Sequence, residues 1–327
     1  MADRGLALRD RLLAETVALA YIVVAAQCDG WHYLLFPGLA ALSHDVLTRP
    51  WGRWASQPGR LIATPALAAV VGTSITRELR FGVPAILVVV CVCVLLLALL
   101  NSDIAPAIAA GVLPLFLGIK SWLYPASVAL SLAVLVLILV SWQRHCRRKY
   151  AHAGGASAPN IDDVLETVPT GNAWVLPYFA FLTAMAFGAT ASGLRLILFP
   201  PLIVIAYEMF AHPTTCPWAG KPLALPAACF LTSVAGWVAV SLFGSGGIAA
   251  ACAMVAGVVV LRLLKLHLPP ALAIGLLPLV IGSPSIQYPL SVAIGAGALT
   301  LAHQLYQRWV LGHGGAGRNA PDTLRSV

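Results

Sequence analysis

Charge is what this chain has least of. Of its 327 residues only 10% are Asp, Glu, Lys or Arg, where an ordinary soluble domain carries about 25%. It is 60% hydrophobic with a mean hydropathy of +0.88, which is more apolar surface than an interior of this size can hide from water. Several signatures are missing as well. No G-x-x-x-x-G-K-[ST] is present, which removes a phosphate-binding loop and ATP-driven pumping, and the absence of HExxH and GxSxG removes the commonest metalloprotease and serine-hydrolase arrangements. An enzyme is therefore not expected. The seven cysteines (Cys28, Cys91, Cys93, Cys146, Cys216, Cys229 and Cys252) are scattered and form no CxxC, so neither a disulfide framework nor a metal site is implied, and no cofactor is expected.

The apolar runs, by contrast, are long. Val83–Leu100 contains Pro84 but no charge, and Ala126–Trp142 has none either. Runs of this length are membrane-span candidates, so the chain reads as an all-α polytopic membrane protein whose first partner is the lipid bilayer. The N-terminal stretch lacks a small-x-small cleavage site and is followed by further spans, so it reads as a retained first helix. It is also not the Arg/Ser-rich, acid-free stretch of an organelle transit peptide, and a bacterial inner membrane is the expected location. The net charge of +8 has a bland reading. Arg4, Arg9 and Arg11 flank the first span, and Arg144, Arg147, Arg148 and Lys149 follow another. Cations at span ends are the positive-inside pattern and imply no nucleic-acid partner.

The chain also says one thing twice. Asp103–Arg144 aligns with His267–Arg308 without a gap at an offset of 164, with 18 of 42 positions identical, including Pro106/Pro270, Gly111/Gly275, Pro114/Pro278, Gly118/Gly282 and Tyr124-Pro125/Tyr288-Pro289. Chance matches among Leu, Ala and Val do not align those residues. Upstream, "LFPGL" (Leu35–Leu39) pairs with "LFPPL" (Leu198–Leu202), Asp45–Pro50 with Glu208–Pro213, Trp54–Pro58 with Trp218–Pro222, and Gly72 with Gly236. The sequence thus predicts two tandem repeats of about four to six hydrophobic helices each. Residues 1–143 form the first, 144–172 a polar cytoplasmic linker, 173–310 the second, and 311–327 a flexible tail. In each repeat the second and fifth segments (32–48 and 104–119; 195–211 and 269–283) are short and proline-bearing. They read as broken or re-entrant helices, tolerated at membrane depth only where protein buries them or they line a cavity.

Cations at the N-terminus, the linker and the C-terminus place all three in the cytoplasm, so each repeat crosses an even number of times and the repeats are parallel. Arg77 and Arg80 depart from that pattern.

Ionisable residues inside spans are costly and so are site candidates. Asp45 and Glu208 stand at equivalent positions after LFP. They are read either as acids at segment ends in headgroup water, beside Arg49 and His212, or as acids lining a central path. Asp103 and His267 each precede a proline-started short segment, at Pro106 and at Pro269-Pro270. They are read either as caps of the helix start or as proton-coupling and anion-sensing groups, since helix N-termini attract anions and His titrates near neutral pH. Arg262 and Lys265, beside His267, read as snorkelling cations or as part of an anion-attracting vestibule. Gln57-Pro58-Gly59-Arg60 and Gly220-Lys221-Pro222 form matching basic turns, and Glu15 reads as interfacial.

Two elements resemble the HPP family of integral membrane proteins. "LHLPPALAIGLLP" (Leu266–Pro278) is similar to its His-Pro-Pro element, and "LFPGLAAL…SQPGRLIATPALAAVVG" (Leu35–Gly72) to the earlier part in order and spacing. His267, Pro269, Pro270, Gln57 and Pro58 match. Leu268 interrupts the motif, the first copy has Asp103-Ile104-Ala105-Pro106 instead, and Gly-Ala-Ser is missing from both. The resemblance implies a membrane transporter, with nitrite transport assigned to some plant members. The expectation is a secondary transporter or channel for a small solute, a small inorganic anion such as nitrite first, alone or as a homo-oligomer. The other reading is a non-transporting scaffold or accessory subunit of a larger complex.

Overall fold

The computed structural model describes residues 6–28, 33–150, 171–213, 221–281 and 285–314. Most of the expected linker, most of the tail, Cys216 and the Trp218–Gly220 part of the second basic turn lie outside the described residues. Twelve α-helices are present, with no strand among the described residues: α1 (Leu8–Ala26), α2 (Gly38–Thr48), α3 (Pro58–Glu78), α4 (Val83–Leu99), α5 (Pro106–Leu117), α6 (Leu123–Tyr150), α7 (Val175–Ser192), α8 (Pro200–Ala211), α9 (Ala224–Phe243), α10 (Gly247–Leu263), α11 (Pro269–Ile281) and α12 (Gln287–Gly314). A single 3₁₀ turn (Arg195–Leu198) precedes α8. Four of the helices, α3, α6, α7 and α9, are long and apolar enough to cross a membrane. Their outward faces carry bare apolar side chains, such as Leu137, Leu176 and Leu242, which water does not favour and hydrocarbon does.

Proline sets where the short helices begin. Pro37 sits at the N-cap of α2, Pro106 opens α5, Pro200 opens α8 and Pro269 opens α11. At these positions the missing N–H costs nothing, because the first turn of a helix has no partner for it. At its far end α5 stops at Gly118, in the left-handed conformation at φ 70°, a common way for a helix to close. Eleven to thirteen residues rise only about 17–20 Å, well short of the roughly 30 Å hydrocarbon core. Such helices need shelter, and every one of them has it. Gly38–Leu47 of α2, Pro106–Phe116 of α5, Pro200–Phe210 of α8 and Pro269–Leu279 of α11 are buried residue after residue.

The four short helices close into a ring. α2 and α8 each pack on both α5 and α11, and the broader contacts are α2 with α11 and α5 with α8. Each of those joins the first half of the chain to the second. The outer helices cross over too, α1 packing on α10 and α7 on α4, while α3 covers α5 and α6, and α9 covers α10, α11 and α12.

Contacts recur between residues 163 or 164 apart in sequence. The Tyr124 hydroxyl donates to the Ala110 carbonyl at 2.7 Å, and the Tyr288 hydroxyl to the Ile274 carbonyl at 2.6 Å. Gln143 Nε2 donates to the Pro50 carbonyl, and Gln307 Nε2 to the Pro213 carbonyl. α3 and α5 approach so closely that a Cβ at Gly72 would lie 1.7 Å from the Gly111 carbonyl oxygen. α9 and α11 repeat this, with 1.9 Å between a Cβ at Gly236 and the Gly275 oxygen. Small residues at helix crossings let backbones meet in membrane proteins.

Gly72→Ala and Gly236→Ala are each expected to cost about 1–3 kcal/mol by forcing backbones apart. Gly188→Ala, where nothing lies within 4 Å of the added carbon, is expected to be neutral or to gain up to about 1 kcal/mol. Thermal unfolding of the three variants in one detergent checks both statements.

Candidate functional site: a cationic cavity at the start of the eleventh helix

The turn before α11 has a counterpart before α5. After α10 the chain closes with Leu266 N–H on the Leu261 carbonyl and Lys265 N–H on that of Arg262. After α4, Ser102 N–H meets the Leu97 carbonyl and Asn101 N–H that of Ala98. This paired pattern puts one residue into the left-handed region, where glycine is usual. Here that residue is Lys265 at φ 50° and Asn101 at φ 45°. Asn tolerates the conformation, whereas a long side chain pays about 1–2 kcal/mol for it. Lys265 is therefore held in strained backbone beside a cavity, a combination that concentrates at functional sites.

Past each turn comes the residue that differs between the halves. His267 Nε2 lies 3.2 Å from Asp45 Oδ1, across 222 residues of sequence. The same oxygen accepts from Arg49 Nε at 3.0 Å and Nη2 at 2.7 Å. Asp45 is 1% exposed, so its charge depends on that guanidinium one helical turn away. The corresponding acid, Asp103, is held differently. Its Oδ2 accepts from Gln57 Nε2 at 2.8 Å and from Arg53 Nε at 3.1 Å, and its backbone carbonyl accepts from Trp54 Nε1 at 2.9 Å.

Beside the Asp45–His267 pair opens a cavity of about 330 Å³ lined by Arg11, Glu15, His44, Arg262, Lys265 and His267, with Leu261, Leu268 and Pro269 among its apolar walls. Glu15 is clamped between two guanidinium groups, accepting from Arg262 Nη2 and lying 3.5 Å from Arg11 Nε. His44 is 8% exposed, and its Nδ1 has no hydrogen-bond partner. The cavity adjoins the start of α11, whose dipole favours negative charge, while its first two residues are prolines without an N–H and the Ala271 N–H is taken by the Leu268 carbonyl. Three fixed cations there face one carboxylate, and Asp45 behind them is matched by Arg49. The space is electropositive and of a size that suits a small ligand.

Against the sequence expectations, the structure sorts the candidates. Asp45 and Glu208 are not open to solvent at their segment ends. Both are buried on short helices of the ring, because those helices are enclosed to their ends. Asp103 does not cap α5, whose start has no side-chain cap bond; its carboxylate is taken by Arg53 and Gln57. Glu15 is not an open interfacial acid, since two arginines hold it, and Arg262 spends its charge on Glu15 instead of only snorkelling. Gln57 joins Asp103 to Arg60, whose Nη1 donates to Gln57 Oε1 at 3.2 Å. Pro106, Pro269 and Pro270 are buried at the helix starts, and Pro269 lines the cavity. Pro58 and Lys221 are exposed and stand outside that lining. His44 and the participation of Arg11 are new. The sequence signal for His44 was its place beside Asp45, and for Arg11 its i,i+4 spacing to Glu15.

No protein-family model, no curated protein and no solved structure matches the chain.

Lys265→Gly is expected to stabilise the protein by about 1 kcal/mol, because glycine enters the left-handed region without strain. Asp45→Ala, which leaves the Arg49 guanidinium enclosed without its carboxylate, is expected to cost about 3–5 kcal/mol. Chemical or thermal unfolding curves of the two variants should move in opposite directions.

Proposed function

We propose that the protein is a secondary transporter or channel that carries a small inorganic anion across a membrane. The observation that carries this reading is the cavity lined by Arg11, Arg262, Lys265 and His267, which meets the start of a short helix buried at the centre of the fold. Half-helices whose N-termini aim at a substrate anion are a recurring device of transporters. The resemblance of Leu266–Pro278 and Leu35–Gly72 to the HPP family points the same way, and nitrite is the first substrate to try.

In this reading the two halves are parallel repeats related by an axis along the membrane normal. The contacts that recur at an offset of 163 or 164 support it, as does the ring in which α2 meets α11 and α5 meets α8. The Lys149 ammonium binds the Asp10 carboxylate at 2.6 and 2.8 Å. That ties the end of α6 to the start of α1 and supports an even number of crossings per repeat. The basic residues at those ends then face the cytoplasm of a bacterial inner membrane, and the cavity opens on that side.

Influx of nitrite, nitrate, formate and chloride into proteoliposomes tests the proposal. Saturable flux of at least one anion is expected. In Lys265→Asn, which keeps a residue suited to the turn, that flux at low substrate should fall about tenfold, the equivalent of 1.4 kcal/mol for one lost charge contact. No flux of any of the four through protein shown to be folded would leave the anion reading without support and favour a scaffold.

A further inference from the structure

His267 has neighbours of two kinds. Its contact with Asp45 Oδ1, at 3.2 Å, is the longest of three to that oxygen, and Arg49 alone supplies the other two. Asp45 thus keeps a charged partner whether or not the imidazole stays. On its other side His267 lines the cavity and is 30% exposed. The charged and titratable groups around it come from every element that meets there. α1 gives Arg11 and Glu15; α2 gives His44, Asp45 and Arg49; α10 and its closing turn give Arg262 and Lys265. α9, which packs on α11, carries no charged side chain. Glu208 on α8 lies within electrostatic reach of Tyr207, as does Asp103, at the other junction of the ring.

Four cations therefore face two carboxylates around this imidazole. An anion entering the cavity adds negative charge beside this imidazole and so favours its protonated form. The imidazolium then has an anion in the cavity and a carboxylate behind it.

We propose that the cavity is a single proton-linked binding site for a small monovalent oxyanion, with His267 taking up one proton as the anion enters. The inference rests on the anion reading above and adds what travels with the anion. The step balances simply: one proton leaves solvent for the imidazole nitrogen, one anion leaves solvent for the cavity, and the net charge loaded is zero. Electroneutral loading brings no net charge into the site, so the membrane potential does not act on that step.

His44 lines the cavity as well, and its Nδ1 is buried without a protein partner. A nearly buried imidazole nitrogen without a partner costs about 1–3 kcal/mol. The site is single because Asp103, at the corresponding place in the other half, already has Arg53 and Gln57 as partners, and α7, the counterpart of α1, carries no cation.

Isothermal titration of sodium nitrite into the full chain in lipid nanodiscs, in two buffers of different protonation enthalpy, tests the proposal. One nitrite per chain is expected, with an apparent enthalpy that differs between buffers as proton uptake requires. Affinity should weaken by up to about tenfold per pH unit between pH 6 and pH 8, the limit for one linked proton. His267→Gln should bind more weakly and lose the buffer dependence, while Lys265→Asn should bind about tenfold more weakly and keep it. Nitrite bound with the same enthalpy in both buffers would overturn the proton linkage and leave the anion reading standing. Proton uptake that survives in His267→Gln would overturn the assignment to His267, and two nitrites per chain would overturn the single site. Failure of nitrite, formate and chloride alike to bind folded protein would remove the anion reading itself. Should His267→Gln not fold, the wild-type buffer pair still decides the linkage, and Lys265→Asn decides the location.

Discussion

A helix too short to cross a bilayer has to be enclosed by protein, and four such helices have to be enclosed together. This constraint organises the molecule. Unsatisfied N–H and C=O groups at a helix end cost several kcal/mol each in hydrocarbon, so the ends of α2, α5, α8 and α11 cannot face lipid. The solution is a closed ring of the four, walled by α3, α6, α9 and α12, with α1, α4, α7 and α10 completing the wall. Glycine makes the wall tight, since α3 can lie on α5, and α9 on α11, only where Gly72 and Gly236 have no side chain. The ring encloses the starts of these helices near the centre. The ionisable residues Asp45, Asp103, Glu208 and His267 are gathered at or beside those helices.

Much of this was legible in the sequence, and for definite reasons. Proline near the start of a short apolar run marks where a helix begins, and Pro106 and Pro269 do so. Acids inside apolar runs are too costly to be idle, and that singled out Asp45 and Asp103, both of which hold specific partners. What could not be read was the pairing. An alignment of the halves sets Asp45 beside Glu208 and Asp103 beside His267, whereas the fold joins Asp45 to His267. Equivalence in sequence says nothing about which half's element lies against which. Lys265 was also opaque. The left-handed closing turn announces itself by glycine, and here neither Lys265 nor Asn101 is one. His44 carried no periodic signal, and its burial follows only from the enclosure of α2 on every side.

The two junctions of the ring are built differently. At one, an imidazole and an arginine share a carboxylate, and a cavity stays open beside them because Arg11 and Arg262 are drawn toward Glu15. At the other, Arg53 reaches Asp103 directly, Gln57 completes the contact and Trp54 seals the backbone. The first is an incomplete electrostatic arrangement with room for another charge; the second is complete. A handful of side chains is enough to make the two junctions differ.

The crossing of elements between the halves also sets an order of events during synthesis. α1 finds its neighbour α10, and α2 its neighbour α11, only after most of the chain has been made. Until then two short helices of the first half lack half their enclosure. The covering that the finished protein gives them arrives last and closes both halves at once. A ribosome that stops in the middle of this message therefore leaves behind not half a working protein but an unfinished shell.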